Sequence, residues 1–323
     1  MIKRLATLLA ALALPAAVCA QQDYPVKPVT LIVPFAAGGP SDTIARLVGK
    51  SLSETLGQQF IVENVAGAGG TAGAGRLARS AADGYTLLVH HLAITSGASL
   101  YAKLPYETRE AFTPLGLINA GPYVVTGRLG FEAGSIAELL ARLRRDGAKI
   151  TMAHSGVGAG SHLCATLLSQ SLGIEVTQIA YRGAAQSTQD IIAGNVDLLC
   201  EQTASALPHL EAKKAKVFAV TSLKRVEQLP DVPTLDESDV KGFDLTNWHG
   251  LYGPKGLPAG IAAKLNAALR KALSDPDVLK RFTDLGTIVY PAAEQTPEAH
   301  AAMFKAELAR WEIVVKKAGI KPQ

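Results

Sequence analysis

Cysteine, net charge and long hydrophobic runs are all scarce in this chain, and each shortage narrows what it can be. Three cysteines occur in 323 residues. Cys19 sits in a leader; Cys164 and Cys200 fall in apolar contexts typical of buried free thiols, with pairing in an oxidising compartment as the alternative. His90, His91, His154 and Cys164 match no standard metal-site spacing, so neither a metal nor a cofactor is expected. The formal charge is +4, and it falls to +2 once Lys3 and Arg4 leave with the leader. A balance so near neutral argues against nucleic acid as a partner. Past the leader no stretch approaches the roughly 20 apolar residues that span a bilayer, so a soluble mature chain is expected. There is no internal repeat, no low-complexity tract and no Gly-x-Ser-x-Gly elbow.

What is present begins with that leader. Lys3 and Arg4 form a short positive region, Leu5 to Leu14 an apolar one, and Val18-Cys19-Ala20 a small-residue cleavage site. Residues 1–20 read as a signal peptide cut before Gln21, with export to the periplasm. Cys19 raises a lipoprotein reading, but Val18 stands where a lipobox has Gly or Ala. About 300 mature residues exceed a comfortable single core, so two lobes are expected.

Apolar strand-like runs alternate with helical periodicity almost throughout, which predicts α/β lobes with largely parallel sheets. The first strand, Leu31–Phe35, leads into a helix from Ser41 with Ile44, Leu47, Val48, Leu52 and Leu56 on one face. The chain is expected to leave the first lobe near 121–123 and return near 243–250. Lobe 1 then comprises 21–122 plus 245–323, and lobe 2 comprises 123–244.

Three strand-to-helix turns are candidates for facing one cleft: Ala37-Gly38-Gly39-Pro40-Ser41-Asp42, Ser155-Gly156-Val157-Gly158-Ala159-Gly160-Ser161-His162, and Tyr181-Arg182-Gly183-Ala184. Such turns aim the unpaired N–H groups of a helix's first turn at one point, where the helix dipole also favours negative charge. In the first turn Pro40 suits a first-turn position and Ser41 or Asp42 can cap. In open α/β sheets ligands gather outside the strands' carboxyl ends. A net hydrogen bond to a charged group is worth roughly 1.5–3 kcal/mol, and micromolar affinity needs about 8 kcal/mol. Four or five such bonds therefore suffice for a carboxylate without any buried cation.

The sequence also resembles the substrate-binding receptors of tripartite tricarboxylate transporters, the TctC or Bug-type proteins. The resemblance runs through Tyr24-Pro25 with Lys27-Pro28, VPFAAGGPSD at 33–42 with Ala45-Arg46, VEN at 62–64, GAGG at 67–70 and DGYTLL at 83–88. It continues in LPYE at 104–107, the Ser155–Leu163 loop, YRGAAQ at 181–186, AGNVDLL at 193–199, LPDVPTLDE at 229–237 and NWHGLYGPKGLP at 247–258. It implies a type II periplasmic-binding-protein architecture, two α/β lobes closing on a small organic carboxylate, and delivery to membrane permease subunits. In that family, backbone groups and ordered water at the loops matching Phe35–Asp42 and Ser155–Ser161 clamp one carboxylate. This chain departs at Ala159, where a hydroxyl residue is common, at Val65-Ala66 in place of Arg-Pro, and at His90-His91, where the loop is more often small or hydroxylated.

The expected ligand-binding set is therefore Phe35, Ala37, Gly38, Gly39, Ser41, Asp42, Ser155, Gly156, Val157, Gly158, Ala159, Ser161, Tyr181, Arg182 and Gly183. His90, His91 and Trp248 are candidates for specificity. Plainer readings stand beside the sharper ones: Asp42 as a helix cap, His162 as a structural first-turn residue, Arg182 as a solvated rim charge, Trp248 as core or hinge packing. Gly73-x-Gly75-x-x-Ala78 is a fragment of a dinucleotide fingerprint, but it sits inside a helical pattern and reads as close packing. Two other functions compete. One is a periplasmic enzyme using Ser155 or Ser161 with His162, although no carboxylate is placed to orient that histidine. The other is a ligand-loaded partner of a sensor's periplasmic domain.

Overall fold

Residues 24–317 and 319–322 are described by the structure, a computed structural model. The expected signal peptide at 1–20, with Cys19, lies outside the described residues. β1 (Val29–Val33) is a continuous apolar run, and α1 (Pro40–Leu56) buries Ile44, Val48 and Leu52 against it before ending at Gly57. β2 (Phe60–Asn64), α2 (Thr71–Ala78), β3 (Thr86–His91) and α3 (Ala93–Leu100) follow. β1 lies between β2 and β3, parallel to both. The dinucleotide-like glycines thus fall within α2 rather than after a strand.

A long strand, β4 (Phe112–Gly127), then crosses the molecule. Beyond it come α4 (Ile136–Asp146), β5 (Thr151–His154), α5 (Gly160–Leu172), β6 (Thr177–Ala180), α6 (Ala184–Ala193), β7 (Leu198–Gln202), α7 (Thr203–Glu211) and β8 (Lys216–Val220). The chain returns in β9 (Thr246–Pro254) and closes with α8 (Ala259–Ser274), α9 (Pro276–Asp284), β10 (Ile288–Val289) and α10 (Pro297–Lys317).

The strand order is β2-β1-β3-β9-β4-β7-β5-β6, with β8 and β10 also paired to β4. The β1–β3 and β5–β7 flanks are parallel, as expected. The middle is not: every pairing of β4 and β9 is antiparallel. An outgoing and a returning strand side by side must run oppositely, and hydrophobic periodicity carries no strand direction. β4 pairs with β9 over Phe112–Pro122 and with β7 over Tyr123–Gly127.

The free-thiol expectation fails. Cys164 on α5 and Cys200 on β7 form a disulfide, with their Cα atoms 6.2 Å apart. Both cysteines are fully buried, so the apolar context predicted burial correctly but not chemistry. Their 36-residue separation gives no sign that α5 packs over β7.

Candidate functional site

The turn before α1 is built by backbone conformation more than by capping. Gly38 has φ of +80°, a left-handed value that side chains disfavour, and Gly39 is the extended N-cap with Pro40 next. No side chain caps the helix conventionally, contrary to the expectation for Ser41 or Asp42. Instead Asp42, in the first turn, reaches back to accept the Gly38 amide at 3.0 Å. Its carboxylate also accepts Arg46 Nε at 3.0 Å and Asn64 Nδ2 at 2.9 Å. Burial pushes this carboxyl up, but the bonds from Arg46, Gly38 and Asn64 outweigh it and hold it below the usual carboxylate range. Ser41 Oγ lies 3.0 Å from His249 Nε2.

The turn before α5 repeats the plan with different side chains. Gly158 also has φ of +80°, Ala159 is the extended N-cap, and Gly160 opens the helix. Here His162 reaches back: its Nδ1 accepts the Gly158 amide at 3.3 Å. Ser161 Oγ accepts the Ser155 amide at 2.9 Å and shares a hydrogen bond with Ser155 Oγ at 2.8 Å. Burial, with His154 beside it, pushes His162 down to about 4, so the ring is neutral at pH 7. In both turns the amides of the first helical residues have no partner within their own helix (Ser41 and Asp42; Gly160, Ser161 and His162).

The three turns meet. A methyl group at Gly38 would lie 3.8 Å from Ala185, one at Gly39 would lie 3.8 Å from Ala184, and one at Gly183 would lie 2.9 Å from Ala36. The starts of α1 and α6 therefore face each other. Phe35, Ala93 and Ala159 form one small apolar cluster, which brings the start of α5 to the same place. Tyr101 donates to the Val157 carbonyl at 2.9 Å, and Ser96 donates to that of Gly158 at 3.0 Å. Gly69 lies so close to the Val157 carbonyl that no Cβ could stand between them.

Comparison with known proteins places this geometry. Residues 44–320 match the model of the tripartite tricarboxylate transporter family receptor. The chain belongs to that family. It is 44% identical to the UPF0065 protein in the TAR-I ttuE-ttuC' intergenic region of Agrobacterium vitis, over 98% of this chain and 91% of that protein. The structure of periplasmic binding protein BugD superposes with a TM-score of 0.90 at 42% identity, covering 93% of this chain and all of BugD. MatC of Rhodopseudomonas palustris, solved with bound malate, superposes at 0.87 with 38% identity, covering 90% of this chain and all of MatC. The fold is thus that of a periplasmic solute-binding receptor of the TctC/Bug type.

Within this receptor not every residue named from the sequence faces the meeting point in a free state. The Tyr181 hydroxyl donates to Asp190 at 2.5 Å and is committed there. Arg182 is exposed and makes no ion pair among the described residues. Trp248 is 2% exposed, with its ring NH 3.4 Å from Glu307 and its ring against His300 of α10, so it packs instead of lining the junction. His90 and His91 are buried against Phe35, His91 stacking at 4.5 Å. Their Nδ1 atoms accept the amides of His91 and Ala93. Burial lowers both, His91 to about 3, so they form a neutral wall.

The hydrolase alternative lacks its geometry: His162 Nδ1 is occupied by Gly158, and no hydrogen bond joins this ring to Ser155 or Ser161. Among the described residues no group of three or more His, Cys, Asp or Glu could hold a metal. Outer-surface grooves of about 650 Å³ beside α5 and α10 and about 750 Å³ beside α3 and α10 contain none of the expected ligand-binding or specificity residues. Sequence reasoning assigned no site role to Gly69, Ser96, Tyr101 or His249. Gly69 and His249 lie in the quoted GAGG and NWHGLYGPKGLP motifs; Ser96 and Tyr101 carry no local signal.

Proposed function

We propose that the chain is an exported receptor that holds one carboxylate of a small organic anion between the starts of α1 and α5, with the start of α6 beside them. The observation that carries this reading is the convergence of helix N-termini from both flanks of the sheet on one point, each presenting amides unused by its own helix. The related MatC, solved with malate, supports a carboxylate as the ligand class. Lobe 1 is 21–122 plus 245–323 and lobe 2 is 123–244. The change of β4's partners between Pro122 and Tyr123 supports that division. Hinge closure brings Gly69 and Tyr101 against Val157, and the closed form docks on the transporter's permease subunits and releases its ligand unchanged. Calorimetry across a panel of mono- and dicarboxylates tests this. Saturable binding of at least one acid at one site, with no response to the matching amide, is expected; silence across the panel overturns the reading.

A further inference from the structure

β4 and β9 run side by side across the middle of the molecule, and the face of this ribbon turned away from α10 carries a group of polar atoms that nothing among the described residues satisfies. The register pairs Asn119 with His249 and Gly121 with Asn247. Alternation along the strands therefore puts Asn119, Asn247 and His249 on a shared face, with Trp248 turned the other way toward α10. Tyr123, two residues beyond Gly121, sets its hydroxyl against Gly160 at the start of α5. His249 meets Ser41 at the start of α1. The ribbon thus touches both helix starts that form the proposed seat.

All four side chains are at most 2% exposed. Asn119 Oδ1, Tyr123 Oη, Asn247 Nδ2 and Oδ1, and His249 Nδ1 have no hydrogen-bond partner among the described residues. Burial lowers His249, so the ring is neutral. Buried polar atoms are almost always paired, so such a group beside the proposed seat marks where a ligand supplies the missing partners.

The chemistry of the group selects among ligands. Tyr123 Oη and Asn247 Nδ2 are donors, Asn119 Oδ1 and Asn247 Oδ1 are acceptors, and none of the four side chains is a cation. A second ionised carboxylate only accepts, and it would leave both amide oxygens unmet. A hydroxyl donates and accepts, and it answers both kinds of atom. We infer that the β4–β9 floor, through Asn119, Tyr123, Asn247 and His249, makes this receptor selective for carboxylic acids bearing hydroxyl groups. This inference rests on the carboxylate-receptor reading above and names the part of the ligand that the helix starts do not hold.

The test is calorimetry on matched pairs that differ only in hydroxylation: butanoate with 3-hydroxybutanoate, succinate with malate and tartrate, adipate with galactarate, taking each stereoisomer separately. In at least one pair the hydroxylated acid should bind roughly tenfold tighter or better, because a site that pairs with a hydroxyl leaves its own polar atoms stranded when the hydroxyl is missing. Asn247→Leu and Tyr123→Phe should each shrink that ratio by about threefold or more. Tyr123→Phe keeps the ring, so it serves even where Asn247→Leu does not fold. Equal affinities within every pair, or a ratio untouched by both variants, overturns the inference while the receptor reading stands. No binding by any acid overturns the receptor reading and this inference with it.

Discussion

The turns at Gly38–Asp42 and Gly158–His162 share a backbone and differ in what holds it. Each has a glycine at φ of +80°, an extended N-cap, a serine second in the helix and a side chain returning to the glycine amide. In the first turn that side chain is a carboxylate braced by Arg46 and Asn64; in the second it is a neutral imidazole making one longer bond. The carboxylate needs its brace because it is a buried negative charge beside the proposed carboxylate seat. Arg46 and Asn64 bind it from the side, leaving the first-turn amides free. The second turn adds no charge and needs no such brace. It is steadied instead by Ser161 and Ser155 and, further along α5, by the disulfide to β7. One conformation is thus reached by an ionic route and by a covalent one.

Removing the covalent support gives the largest expected effect. Reduction of Cys164–Cys200 frees a 36-residue loop and should cost about 3–4 kcal/mol by chain-entropy reasoning. Urea unfolding with and without reductant reads it, and an unchanged midpoint would remove the disulfide from the comparison. Next is Gly69→Ala, which places a methyl group against the Val157 carbonyl at a residue with φ of +61°. The flanks can then no longer approach, and carboxylate affinity should fall roughly a hundredfold, about 2.7 kcal/mol. Calorimetry measures the loss, and scattering in the presence of ligand should show a more open shape.

Asp42→Ala strips three hydrogen bonds from the first turn and should cost about 2 kcal/mol in urea unfolding. A variant as stable as the parent would mean that Gly38 and Gly39 hold the turn unaided. The pH response separates the two turns. His162 is held down to about 4 in the folded protein and titrates near its ordinary value, about 6.5, when unfolded. Between these values the unfolded chain takes up protons that the folded one refuses, so stability is full above the upper value and falls as the pH drops toward the lower. Asp42, lowered from an ordinary value of 3.8, loses its contribution only in more acid solution. His91 and His300, both at about 3, act in the same direction as His162. The readout is therefore a difference: His162→Gln should flatten the stability profile between pH 6.5 and 4 relative to the parent. Identical profiles would contradict this assignment.

The same comparison shows where sequence reading succeeds. Gly38, Pro40 and the Gly158–Ser161 run announce their turns because positive φ and a helix start impose narrow residue choices. The role of Asp42 is not legible, since a first-turn residue reaching back four positions looks like any helix-start acid, whereas His162 is the structural first-turn residue expected. α3 and α7 escaped as well. Ala93–Leu100 is buried nearly all round and lacks amphipathic spacing, and α7 contains Pro208. The contacts that join the flanks, Tyr101 to Val157 and Ser96 to Gly158, span 56 and 62 residues, and no local pattern encodes them. Trp248 drew attention as a large aromatic, yet its neighbours Asn247 and His249 take the opposite face, a distinction that strand register alone decides.

Amide-resolved NMR, titrating in the tightest acid from the calorimetric panel, bears most directly on the shared seat. The N–H signals of Gly39, Ser41 and Asp42 and those of Gly160 and Ser161 should shift together, saturating at one ligand per chain. Movement confined to one of the two turns, with the other silent at saturation, would contradict a carboxylate held jointly by both.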